Sequence, residues 1–145
     1  MKKNFKRLTA MALCFSMVCF TGCGSDKDNN GEIGETAENA VIREVQEELG
    51  VTPKIARPLW LNQAFFTEDV DNLHYHELCI YFLLDITDTD LLARGEKFTA
   101  NEGHRTHTFE WLEFERLKDE YFYPLFLKKE IFNIPNIFTI RTEFE

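Results

Sequence analysis

Three acidic residues, Glu44, Glu47 and Glu48, fall within five positions of one another. At about 100° per residue on a helix they collect on one side. Glu44 and Glu48, one turn apart, repel rather than support that helix. Between residues 28 and 53 there are seven acids and a single base, Arg43. Arg43 reaches Glu47 one turn on, but one guanidinium does not neutralise three carboxylates. A hard divalent cation such as Mg²⁺ or Mn²⁺ does, because it seeks oxygen ligands and commonly joins one or two carboxylates to a substrate phosphate. The spacing alone leaves a second reading open, an acidic face that is merely solvated.

Those side chains need a helix with defined ends. Thr36 is placed to cap it and Glu38 suits the positive end of its dipole. Leu49-Gly50 closes it, Gly50 being free to turn left-handed, and Pro53 forbids continuation. Val41, Ile42, Val45 and Leu49 form an apolar stripe that must dock on a sheet, while the small Ala37 and Ala40 lie beside the acids. Residues 58–66 and 77–86 are rich in β-formers and predict strands, joined by an acidic hairpin-like turn at 67–73. Pro58, lacking an amide proton, is expected to begin its strand or to lie on an edge. Residues 108–114 alternate like a strand. Residues 117–133 suggest a helix interrupted by Pro124, with Leu125, Leu127, Ile131 and Phe132 as its buried side. Residues 138–144 alternate like an edge strand.

The complete string is more specific than its parts. Glu35, then Arg43-Glu44-Val45-Gln46-Glu47-Glu48-Leu49-Gly50-Val51, resembles the Nudix box, G-x5-E-x7-R-E-U-x-E-E-x-G-U with U aliphatic. Every defining position from Glu35 onward matches. The departure is upstream, where Asn29 stands in place of the opening glycine and Gly31 is left to supply the turn. The resemblance implies an α/β fold, a Nudix-like α/β/α sandwich on a mixed sheet. It also implies hydrolysis of a nucleoside diphosphate linked to another group, with Mg²⁺ or Mn²⁺ as cofactor. Carried over, Glu47 and Glu48 are metal ligands and Glu44 is a ligand or the base that activates water. Arg43 orients a glutamate, and Glu35 bonds within the loop–helix unit or assists the metal shell. Glu110, just before Trp111, is the candidate fourth carboxylate, with Glu102 a second. Arg105 and His104 are candidates to meet phosphate. His74, His76 and Cys79 do not form a zinc site, because Cys79 points to the opposite face of the strand from the two histidines. Phe65, Phe66, Tyr81 and Phe82 are read as core rather than as a base-stacking surface.

Chain-wide properties limit the function classes. At 145 residues there is room for one domain. A formal charge of −9 argues against general nucleic-acid binding. Residues 1–22 carry four bases and no acid, so the charge without them is −13. None of the four cysteines forms a CxxC pair, and Cys79 in an apolar run reads as a small buried hydrophobe. The 13 largely apolar residues 8–20 are too few to span a bilayer as a helix, which takes roughly 20; with the basic residues 1–7 before them they have the form of a secretory signal. Phe20-Thr21-Gly22-Cys23 resembles a bacterial lipobox, with Phe20 where leucine is usual. The expected organisation is a lipoprotein signal over 1–22, with Cys23 lipidated, a polar tether over 23–31 and a partial Nudix domain over 32–145, anchored outside the cytoplasm. Should the leader be inactive, the chain would be cytoplasmic. So few residues precede Glu35 that the early strands of the sheet are expected to be missing, leaving the helix's apolar stripe partly exposed. A catalytically inactive anchored cation- or partner-binding protein, and a non-functional fragment, are the alternatives.

Overall fold

The computed structural model describes residues 11–12, 34–67 and 72–144. Helix α1 spans Ala37–Leu49. Thr36 caps it, its hydroxyl accepting from the Asn39 amide at 3.3 Å. Gly50 ends it at φ 69° and ψ 21°, a left-handed conformation that costs glycine little, and donates its amide to the Gln46 carbonyl. No basic residue lies in the last turn of α1. Arg94, from the 3-10 turn Leu91–Arg94, supplies the missing cation by donating Nη1 to the Leu49 carbonyl at 2.8 Å.

The main sheet has four strands in the order β1 (Met11–Ala12), β3 (His74–Asp85), β2 (Lys54–Thr67) and β6 (Thr139–Phe144). Antiparallel β2 and β3 form a long hairpin, β1 runs antiparallel along the far side of β3, and β6 runs parallel to β2. The sheet is therefore mixed. Pro58 lies inside β2 rather than at its start. It is tolerated there because the register shifts beside it and β6 begins to pair only at Trp60, so β2 has one neighbour at that point.

Side chains alternate along β3, and each face has its own core. Phe82 and Leu84 face α1, joining Val41, Val45, Leu49, Ile86 and Leu91. Tyr81, Leu83 and Cys79 face the other way, with Leu59, Trp60, Phe126 and Leu127. The bulge after Pro58 lets the adjacent Leu59 and Trp60 enter the same core. The short helix α2 (Leu127–Glu130) covers this second face, completing an α/β fold with helices on both sides of a mixed sheet.

Three expectations fail, and one hairpin comes unannounced: Lys97–Glu102 (β4) and Arg105–Glu110 (β5) form a separate antiparallel pair about Gly103-His104. The strand expected at 108–114 ends at Glu110, and Phe114–Lys118 is a 3-10 turn. No helix runs over 117–133; regular α-helix starts only at Leu127, after Pro124, whose missing amide and ring obstruct a preceding turn. Phe126 and not Leu125 points inward there, and Leu125 and Phe132 are exposed. Finally, the stripe of α1 is not exposed. Val41 and Val45 are each 1% accessible, packed with Phe82 and Leu84 of β3 and flanked by Phe98, Phe109 and Trp111 of the unexpected hairpin and its exit.

Met11 and Ala12, within the segment read as an export signal, pair with Leu84 and Asp85. The rest of that segment, Cys23 and the tether lie outside the described residues. Among the described residues no helix is long and apolar enough to cross a membrane.

Candidate active site

Arg43 is the organising group of the acidic face. Its Nε and Nη2 donate to the two carboxylate oxygens of Glu35 at 3.1–3.3 Å. Its Nη1 lies 2.8 Å from Glu44 Oε1 and 3.1 Å from Glu47 Oε2. The bond to Glu35 is the largest of several influences that hold the guanidinium proton far more tightly than usual. The sequence suggested contact with Glu47 alone. Glu35 sits just ahead of the helix cap and Glu44 follows Arg43, so three carboxylates share one cation and a net negative charge remains.

Glu48 is outside this arrangement. It makes no ion pair or hydrogen bond among the described residues, and it is half-buried. Burial raises its pKa above the ordinary glutamate value; the charges of Glu102, Glu44 and Glu47 raise it further, and His107 partly opposes them. Glu102 comes from β4. On that strand Phe98, Ala100 and Glu102 share the face turned toward α1, and their partners on β5 are Phe109, His107 and Arg105. His107 Nε2 lies 3.2 Å from Glu102 Oε2, in an orientation that makes no hydrogen bond.

The same alternation removes Glu110 from the cluster. It stands opposite Lys97 on the outward face, 3.5 Å from its Nζ and 3.0 Å from Arg116 Nη1. The bond from Arg116 chiefly holds its carboxyl below the ordinary range. Of the two candidate fourth carboxylates, Glu102 is therefore the one brought to the helix. His107 was missed altogether. Its signal was the mirror spacing of Phe98 and Phe109 about the Gly103-His104 turn, which places His107 on the inner face.

Beside Glu47 and Glu102 opens a cleft of about 510 Å³, lined also by Gly103, His104 and Arg105. Among the described residues no three His, Cys, Asp or Glu side chains converge closely enough to grip an ion. The donors nevertheless suit one. All are hard carboxylate oxygens, and Glu48 is crowded by Glu102 and Glu44 with no cation of its own, the condition that a divalent ion relieves. Glu48 also makes a testable contribution to stability. In a chelating buffer its raised folded-state pKa means that this one carboxyl holds its proton more firmly in the native than in the unfolded chain, from about pH 4.3 upward to the folded pKa. Stability contributed by this group therefore falls as pH rises from there through the folded pKa. Melting curves of the parent and of Glu48→Gln should diverge over that interval, the variant gaining relative stability at the higher pH. A constant difference would refute the burial of an uncompensated charge.

Over residues 30–129 the chain matches the family model described as NUDIX domain. It is 36% identical over 74 residues to an ADP-ribose pyrophosphatase from Methanocaldococcus jannaschii. That alignment covers 51% of this chain and 41% of the relative, so the chain spans less than half of the relative's length.

Proposed function

The chain belongs to the Nudix family, and on that premise we propose that it hydrolyses the pyrophosphate bond of a nucleoside diphosphate linked to a second group, using Mg²⁺ or Mn²⁺. The observation that carries this reading is Glu48, half-buried beside Glu102 and Glu44 while the neighbouring guanidinium is already committed to three other carboxylates.

In this proposal Glu44, Glu47, Glu48 and Glu102 hold the cation, Glu102 taking the place expected for Glu110. When bound, the ion screens phosphate oxygens and lowers the pKa of a water. Glu44 would be the residue to accept the proton of an attacking water, since Arg43 fixes its carboxylate and leaves it little freedom. Arg43 and Glu35 act as positioning residues: the paired bonds between them lock the guanidinium, which in turn sets Glu44 and Glu47. Arg105, the one arginine or lysine lining the described cleft, faces it as a counter-charge for phosphate.

The test is a panel of nucleoside diphosphate derivatives, beginning with ADP-ribose because of the relative's activity. Release of nucleoside monophosphate that requires Mg²⁺ or Mn²⁺ and stops with chelator is expected. A folded sample that turns over nothing in the panel would leave the inactive binding reading in its place.

Cys23 as a lipidation site that tethers the domain outside the cytoplasm is likewise a proposal, supported by the leader's sequence. Expression in a bacterial host with radioactive palmitate should label the chain, and Cys23→Ser should abolish the label. A parent chain without label would exclude the anchor.

A further inference from the structure

Strand β6 forms one margin of the main sheet, and among the described residues no strand covers its outer side. Its apolar side chains are strongly exposed, Ile140 at 65% and Phe144 at 78%, and the preceding Ile137 and Phe138 are exposed as well. An uncovered edge with apolar side chains is a template for pairing with another chain, and proteins that avoid this usually place lysine or proline there. The strand Thr-Ile-Arg-Thr-Glu-Phe has neither.

Alternation divides these residues between two faces. Arg141 lies over the Phe126 ring at 3.5 Å, and Glu143 accepts from the Phe126 amide at 3.1 Å, so both look toward α2. Ile140, Thr142 and Phe144 look the other way. On that face Phe144 stacks on Phe65 with centroids 5.1 Å apart, and Phe65 stacks on His76 at 4.2 Å. Helix α1 covers the part of this face around Phe82 and Leu84, well along β3 from His76.

We propose that β6 pairs antiparallel with β6 of a second copy of this chain, about a two-fold axis through Thr142. The axis, perpendicular to the sheet, sets Arg141 opposite Glu143 of the second copy and Ile140 opposite Phe144 of the second copy, each pair occurring twice. The segment Ile-Arg-Thr-Glu-Phe is thus its own complement, as an isologous contact requires. Apolar pairs and opposite charges directly across a ladder both favour this register. Moving the axis to Arg141 or to Glu143 would instead set like charges against each other. Of these three registers the sequence favours the one through Thr142, and a second copy necessarily carries the matching segment.

Sedimentation of the full chain over a range of concentrations should give twice its 17.1 kDa mass. Ile140→Lys combined with Phe144→Lys should return it to a single chain with an unchanged circular dichroism spectrum. The register has its own test, which does not depend on that variant folding. Facing residues of an antiparallel pair have Cα atoms about 4.5–5.5 Å apart, within disulfide reach. Thr142→Cys should therefore link two copies under mild oxidation, with the linked peptides identified by mass spectrometry. Thr139→Cys, whose copies would lie roughly 20 Å apart at about 3.4 Å per residue, should not. A single-chain mass at every concentration overturns the proposal, and so does a doubled mass that the two lysines leave intact. Linkage at Thr139→Cys as ready as at Thr142→Cys would overturn the register and with it the argument.

Discussion

Glu48→Gln is expected to lower turnover of the best pyrophosphate substrate by at least about 100-fold while leaving the fold intact. The magnitude follows from position. Altering a group that only supports a metal ligand typically costs about 10–100-fold, and Glu48 is proposed to touch the ion directly. The substitution keeps the side chain's size and removes the charge that burial, Glu102 and Glu44 all disfavour. In chelating buffer the variant should therefore melt no lower than the parent. Activity and stability moving in opposite directions distinguish a functional charge from a structural one. Steady-state rates and thermal melts on the same samples check it. A variant that unfolds early, or that retains near-parent turnover, would remove Glu48 from the site.

The second large effect concerns the opposite face of the sheet. Trp60→Ala should destabilise the domain by about 3–5 kcal/mol, the usual range for deleting a buried large aromatic. Trp60 is 1% exposed. Its ring meets Phe126 edge-on at 5.5 Å and Tyr81 at 6.3 Å, so truncation leaves a cavity between β2, β3 and α2 that rigid rings cannot fill. Against a total stability of about 5–15 kcal/mol, such a loss brings the domain close to unfolding at ordinary temperature. Tyr121→Ala makes the control: at 94% exposed it should change stability by no more than about 0.5 kcal/mol. Denaturant titration of both variants decides the matter, and similar midpoints would contradict the packing.

The helix was legible because its signals agree. The Thr36 cap, the Gly50 stop and the stripe of Val41, Val45 and Leu49 all indicate the same thirteen residues. The hairpin of β2 and β3 was legible from long runs of β-formers, although pairing reaches back to Lys54, whose polar neighbourhood concealed it. The hairpin of β4 and β5 was hidden because its outer face is polar and only Phe98 and Phe109 mark its inner one. That omission also concealed which way Glu110 faces. A strand's side chains change face at each residue, so beginning the strand at residue 108 and running it past Trp111 gave no reference for which parity looks inward. With Phe98 and Phe109 packed on α1, parity is fixed. Glu102 and His107 turn toward the helix, and Glu110 turns toward Arg116. Residues 117–133 were misread because their spacing of apolar groups suits a helix, while Pro124 and the neighbouring aromatics direct the chain otherwise.

The two halves of the acidic cluster are joined by different kinds of connection. Arg43 fastens Glu35, Glu44 and Glu47 to one rigid rod. Glu102 stands on a two-stranded ribbon that belongs to a separate sheet and leans on that rod through Phe98, Phe109 and Trp111. The gap between Glu48 and Glu102 is thus spanned by side-chain packing and by no backbone ladder. On the proposed reading the site is like a vice with one fixed jaw, whose grip on a phosphate depends on packed rings and not on the register of any strand.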